Sequence, residues 1–212
     1  MGIKKVLITA GPTWVAIDKV RVISNIASGE TGILLADKLS EQGAKVTLVL
    51  GPGNDKNGIQ NSRIKIIRFS FFEELRQALK KELKASRYDF IIHSAAVSDF
   101  APQKPINEKL KSGRPYILRL KALPKLSADI RRLAPDAGLV LFKLESGIKD
   151  EELIQRARKT LADSQADLIV ANIIEPRYKS YILDAKKIYS RAGSKQEMVS
   201  NLLFALGKVQ KD

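Results

Sequence analysis

Val6-Leu7-Ile8-Thr9-Ala10-Gly11-Pro12-Thr13 is a short apolar run that stops at a Gly-Pro turn, and the residues after that turn decide the fold. The spacing predicts a strand over Val6–Thr9, yet the first helix begins only near Ser28-Gly29-Glu30-Thr31-Gly32. In the dinucleotide fingerprint G-x-G-x-x-G sits directly between strand and helix. Here the interval Thr13–Ala27 intervenes and carries Asp18, Arg21, Ser24 and Asn25, so an ordinary NAD enzyme is disfavoured. Small residues at the helix start, Ser28, Gly29 and Gly32, let backbone N–H groups approach a phosphate, and the helix dipole favours its charge. The bland alternative is that these glycines only permit close packing of helix on sheet.

Beyond this interval, β-branched runs alternate with longer amphipathic stretches, the signature of consecutive βα units around a buried parallel sheet. Strands are predicted at Val6–Thr9, Lys45–Leu50, Ile64–Phe69, Tyr88–His93, Gly138–Leu144 and Asp167–Ala171. Helices are predicted at Gly29–Gln42, Phe71–Ala85, Pro124–Leu133, Asp150–Ser164 and Lys195–Val209, with Ser70 as an N-cap and Gly43 as a stop. The expected architecture is an α/β, Rossmann-like, doubly wound and mainly parallel sheet in one domain over residues 1–212. Its binding crevice should lie at the carboxyl ends of the strands. Two segments break the rhythm. Ser98–Pro115, with three prolines and four basic residues, reads as a long exposed lid loop, and within Tyr178–Arg191 the stretch Ala185–Ser190 could add a late edge strand.

The 212 residues are 44% hydrophobic, enough for one core burying about 70% of the unfolded surface. Lys and Arg number 37 against 23 Asp and Glu, a net charge of +14, which favours an anionic partner without saying which. The basic residues are scattered, so a solvated lysine-rich surface competes with that reading. Without cysteine there is no disulfide, thiolate metal site or cysteine nucleophile. The N-terminus lacks a signal peptide's apolar run and no stretch approaches a membrane span, so a soluble cytoplasmic protein is expected, with no membrane partner.

A second chemical stretch is Ile91-Ile92-His93-Ser94-Ala95-Ala96-Val97-Ser98-Asp99-Phe100. Two alanines at a strand end leave room for a flat ligand against backbone, and Asp99 can meet a ribose or a metal. His93, the sole histidine, has no visible orienting partner and reads as a satisfied strand residue. In the lid, Glu108-Lys109-Leu110-Lys111 places two lysines at alternating spacing, where a mobile ammonium could counter charge on a leaving pyrophosphate.

Taken together, Thr9-Ala10-Gly11-Pro12-Thr13, Ile17-Asp18, Val20-Arg21, Ile23-Ser24-Asn25 with Ser28-Gly29, Ala95-Ala96-Val97-Ser98-Asp99, Glu108-Lys109-Leu110-Lys111 and Asp167-Leu168-Ile169-Val170-Ala171-Asn172 succeed one another as in phosphopantothenate–cysteine ligase, which the chain resembles over most of its length. His93–Asp99 and Phe142-Lys143-Leu144 look closer to its monofunctional branch than to the C-terminal half of the two-enzyme decarboxylase/ligase. The resemblance implies that 4'-phosphopantothenate is joined to cysteine in coenzyme A synthesis through an acyl-cytidylate. CTP would be the co-substrate, with ATP the alternative, and Mg²⁺, a homodimer and a separate decarboxylase acting next are also implied. By the same resemblance Asn25 stabilises the intermediate, Arg21 serves the second step, and Lys109 is the lid lysine. Ala95, Ala96, Asp99, Pro124 and Phe142 fall on nucleotide-holding positions, to which Gly11, Ser28 and Gly29 are added as the phosphate-side turn. No metal ligand is assigned. The chain departs from the pattern at Trp14-Val15-Ala16, where a glutamate is usual, at Thr160 and Ser164 in place of lysines, and at Lys125 and Ile173 in place of aspartates.

Two other classes compete. An NADPH-dependent Rossmann reductase fits the fold and the basic residues but lacks the fingerprint and a Tyr-x-x-x-Lys pair. A nucleic-acid-binding module fits the charge but lacks a basic stripe interleaved with aromatics, so no nucleic-acid partner is expected.

Overall fold

The computed structural model describes residues 2–53, 59, 61–104, 106–175 and 177–209. In chain order the elements are β1 (Lys5–Ala10), β2 (Trp14–Ala16), β3 (Val22–Ser24), α1 (Glu30–Glu41), β4 (Lys45–Leu50), β5 (Ile64–Arg68) and α2 (Phe72–Ala85). Then come β6 (Phe90–His93), β7 (Phe100–Pro102), β8 (Leu120–Ala122), α3 (Leu126–Leu133), β9 (Gly138–Glu145) and α4 (Asp150–Ser164). The chain closes with β10 (Leu168–Ile173), β11 (Lys179–Leu183), β12 (Ile188–Ala192) and α5 (Lys195–Val209).

The central sheet has the order β12-β11-β10-β9-β6-β1-β4-β5, parallel from β10 through β5 and antiparallel over its last two strands. The chain steps from β1 out to β4 and β5, then returns to the other side of β1 with β6, β9 and β10. This reversal between β1 and β6 is the switch point at which open α/β sheets bind ligands.

Period-two alternation sorts the strand side chains between two cores. Val6, Ile8 and Ala10 of β1 pack with Leu35, Leu39, Val199 and Leu202 of α1 and α5. Leu7 faces the other way, toward Leu75 and Leu79 of α2, Ile130 of α3 and Leu153 of α4. Helices therefore cover both faces, as expected of a doubly wound sheet.

The predicted helices are all present, with their starts shifted by up to two residues. Gly43 ends α1 in a left-handed conformation at φ 91°, its amide and that of Ala44 returning to the Ser40 and Leu39 carbonyls. Ser70 does not cap α2. Glu74 reaches back instead, its carboxylate accepting from the Ser70 and Phe71 amides at 2.7 and 3.1 Å, which satisfies the N-cap amide and the one before it.

The lid also needs correcting. Its base is not loop: Phe100–Pro102 pairs antiparallel with Leu120–Ala122, and the Gln103 amide continues the ladder to the Arg119 carbonyl at 2.8 Å. The lid is thus an arc carried on a two-stranded stem. The late strand lies at Ile188–Ala192, a few residues beyond the expected stretch, and pairs on the unforeseen β11 at the sheet edge. Among the described residues no helix is long and apolar enough to cross a membrane.

Candidate active site

Two chain stretches meet at the carboxyl ends of β1 and β6. Gly11 turns the chain out of β1 at φ 82°, and Gly29 turns it into α1 at φ 80°, both backbone conformations that favour glycine. The two turns nearly touch, for a Cβ on Gly29 would sit 3.2 Å from the Gly11 nitrogen. A third strand end closes on them: a Cβ on Gly53 would lie 2.2 Å from the Ser28 carbonyl oxygen. Gly51-Pro52-Gly53 after β4 therefore belongs to the same backbone cradle. Its sequence signal, a Gly-Pro-Gly turn at a strand end, is as clear as that of Gly11-Pro12.

The cradle is tied to β6 by a chain of hydrogen bonds. The Ala96 amide donates to the Gly11 carbonyl at 2.9 Å, and the Thr13 amide donates back to the Ala96 carbonyl at 3.2 Å. The Asn25 side-chain amide donates to that same Ala96 carbonyl at 2.9 Å. Thr13 is fully buried, and its hydroxyl accepts from the Ser98 amide at 2.8 Å while the Ser98 hydroxyl bonds back to the Thr13 backbone carbonyl at 3.3 Å. Ser24 adds a bond to the same Thr13 carbonyl. Gly11, Asn25, Ser28, Gly29, Ala95 and Ala96 are thereby brought together at the switch point.

His93 is held beneath this cradle. Its Nδ1 shares a 2.8 Å hydrogen bond with the Thr9 hydroxyl, and burial pulls its pKa down to about 4, so the ring is neutral near pH 7. Thr9 is thus a partner for the ring that the sequence did not show, and it holds the imidazole within the strand pair.

Arg21 and Asp18 close the β2–β3 turn. The Asp18 carboxylate is buried, which would raise its pKa, but amide donors from Leu110, Val20 and Arg21 and the Arg21 guanidinium outweigh burial and hold it down at about 2. Lys109, next to Leu110, is exposed and makes no hydrogen bond or ion pair among the described residues. Asp99 pairs with Lys125 at 2.5 Å, and the Leu123 amide donates to the Asp99 carbonyl at 2.8 Å, which places Pro124 beside it. Phe142 lies one strand out from β6, half-buried against the α1/α5 core.

The departures now have physical settings. Trp14–Ala16 is strand β2, with Val15 buried and the Trp14 ring edge-on to Phe71 at 6.0 Å. Ile173 is 3% exposed in the α2/α3/α4 core, where an ionised aspartate would be costly. Lys125 neutralises Asp99. Thr160 and Ser164 spend their hydroxyls on carbonyls of their own helix, and α4 runs back toward the amino end of β10, so within one chain both are remote from the crevice.

Among the described residues no three carboxylates or histidines cluster as a metal site. Asp99, with 58% of its side chain exposed, is a carboxylate beside the crevice that could reach a metal carried on nucleotide phosphates, the way Mg²⁺ is commonly held.

A mainly parallel sheet with helices on both faces and a glycine-lined crevice at its switch point defines a Rossmann-like α/β protein. The profile of the DNA/pantothenate metabolism flavoprotein C-terminal domain matches residues 1–201, and the chain belongs to that family. It is 38% identical over 172 residues to the coenzyme A biosynthesis bifunctional protein CoaBC of Thermococcus kodakarensis, covering 81% of this chain and 42% of that protein. To the protein of the same name from Methanocaldococcus jannaschii it is 33% identical over 214 residues, covering 98% of this chain and 51% of the relative. The chain thus spans about half the length of the curated relatives it matches. The crystal structure of the DNA/pantothenate metabolism flavoprotein from Streptococcus pneumoniae superposes with a TM-score of 0.84 at 24% identity, over 98% of this chain and 99% of that one, which shows the shared fold.

Proposed function

We propose that the protein is a ligase of coenzyme A synthesis that joins 4'-phosphopantothenate to L-cysteine. The observation that carries this reading is the convergence of Gly11–Asn25 with Ala95–Asp99 at the switch-point crevice, in a chain whose relatives are named for coenzyme A biosynthesis. In the first step a carboxylate oxygen of phosphopantothenate attacks the α-phosphorus of CTP, a P–O bond forms, and pyrophosphate leaves. In the second the amine of cysteine attacks the acyl carbon of the acyl-cytidylate, loses a proton, and CMP leaves with the electrons of the broken acyl–oxygen bond.

The residues suit these steps. The first-turn amides of α1 and the cradle at Gly11, Ser28 and Gly29 favour phosphate. The Asn25 amide, oriented by the Ala96 carbonyl, can donate to an acyl oxygen without competing as a nucleophile. Arg21 would serve the second step, and Lys109 would meet the triphosphate when the lid closes. Ala95, Ala96, Pro124 and Phe142 would flank the base and ribose, with CTP preferred over ATP. Asp99 would help to hold Mg²⁺, which would supply positive charge against the departing pyrophosphate.

A homodimer is part of the reading. It is supported by apolar side chains left exposed on two adjacent ribbons, Val20 and Ile26 around β2–β3, and Phe100, Ile117 and Leu120 around β7–β8. A separate decarboxylase would act next, on the product's cysteinyl carboxylate.

Pyrophosphate release with CTP or ATP, each with and without 4'-phosphopantothenate and cysteine, tests the reaction, and mass spectrometry identifies the amide product. Release that depends on phosphopantothenate, with CTP favoured, is the expected result. No amide product with either nucleotide overturns it. Light scattering during size exclusion tests the dimer, which a monomer at micromolar concentration would overturn.

A further inference from the structure

Asp18 is 5% exposed, and its two carboxylate oxygens have different duties. Oδ1 accepts from the Val20 and Arg21 amides at 2.8 Å each, which closes the β2–β3 turn. Oδ2 accepts from the Leu110 amide at 3.0 Å and from the Arg21 guanidinium. The same guanidinium nitrogen donates to the Leu110 carbonyl at 3.3 Å. Both backbone groups of one lid residue are therefore held by the Asp18–Arg21 pair, across a sequence separation of 92 residues for the amide bond.

Leu110 sits between Lys109 and Lys111, half-buried while both lysines are exposed. Fixing both its N–H and its C=O fixes the directions in which the flanking lysines leave the backbone. The bonds are charge-assisted and shielded from water at the carboxylate, which makes them the strong kind. No other described lid residue makes a side-chain or backbone hydrogen bond to the β2–β3 turn.

We propose that Asp18 is a positioning residue for the ligase reaction: through Arg21 and the Leu110 peptide it seats the lid so that Lys109 and Lys111 are presented from a fixed backbone. This rests on the functional reading above for what those lysines do, but not for the seating itself. Asp18 touches no reacting atom; it acts through the lid.

The Asp18→Asn variant separates the two duties. Its remaining oxygen can still accept from Val20 and Arg21, whereas its amide nitrogen cannot accept from Leu110 or Arg21. In the full chain without nucleotide, tryptic cleavage after Lys109 and Lys111 should accelerate at least about tenfold, with thermal unfolding close to that of the parent. With substrates saturating, kcat should fall while the KM for cysteine holds. If Asp18→Asn does not fold, Leu110→Pro removes the lid-side amide donor and should show the same faster cleavage after Lys111, the bond between Lys109 and the introduced proline being resistant to trypsin. Equal cleavage of the parent and of each variant that folds would overturn the proposal. Because cleavage is read without substrates, a parent that makes no amide product would sink the ligase reading while leaving the seating of the lid to stand or fall on the proteolysis.

Discussion

The Asn25 side-chain amide and the Ala96 backbone carbonyl are joined at 2.9 Å, across 71 residues of sequence. A carboxylate cannot donate to a carbonyl, so Asn25→Asp replaces an attraction with a repulsion at the floor of the crevice. Amide formation should fall by about 10²–10³-fold, the size of losing one preorganised donor, while nucleotide binding survives. Rapid quench and mass spectrometry should show an acyl-nucleotide that accumulates or stalls. An unchanged steady-state rate would remove Asn25 from the reaction.

Lys109 is exposed, so Lys109→Gln should alter stability by less than about 0.5 kcal/mol. If the lid closes on a triphosphate, turnover should nonetheless drop roughly 10²–10³-fold. Lys111 flanks Leu110 on the other side and can compensate in part, so the double variant with Lys111→Gln should lose more than either single one. CTP with Mg²⁺ should also protect the arc between β7 and β8 from proteolysis. Normal turnover in the double variant would make both lysines solvated charges.

His93, the sole histidine, offers a one-peak titration by NMR. Its pKa, lowered by burial to about 4 from 6.5, means that the unfolded state takes up a proton first as pH falls. Its stabilising contribution is therefore full above pH 6.5 and is lost as pH falls toward 4. The ring resonance should stay in its neutral position from about pH 7 to about pH 5. A midpoint near 6.5 would show a solvated ring.

Gly32 and Gly207 should respond oppositely to alanine. A Cβ on Gly32 would lie 2.3 Å from the Ala10 Cβ, so α1 must move off β1, costing about 1–3 kcal/mol. A Cβ on Gly207 meets nothing within 4 Å, and alanine there should add up to about 1 kcal/mol of helix stability. Urea unfolding of both variants checks the pair, and a stable Gly32→Ala would show slack between helix and sheet.

The helices and the parallel strands are legible in the sequence because their periodicity extends over whole elements and ends on turn residues such as Gly43. The ribbons are not: Trp14–Ala16, Val22–Ser24, Phe100–Pro102 and Leu120–Ala122 are three residues each, too short to carry a period, and they exist through their pairing. The strand at Lys179–Leu183 begins with Lys and Ser, and its burial comes from α5 and its neighbours. At the site, Asn25, Ala96 and Lys109 stand out by motif. What each one touches depends on the meeting of distant segments, and Asp18's hold on Leu110 has no local signature.

Three of the bonds that make the crevice are of long reach: Asn25 to Ala96 spans 71 residues, Thr13 to Ser98 spans 85, and Asp18 to Leu110 spans 92. They join the segment that follows β1 to the segment that follows β6, so each carries the loop-closure entropy of a long stretch of chain. A molecule that touches both stretches at once then acts as a removable cross-link. Occupancy at about a hundred times Kd would add about 2.7 kcal/mol to the native state, and the cell's supply of that molecule becomes one determinant of how long the folded chain survives.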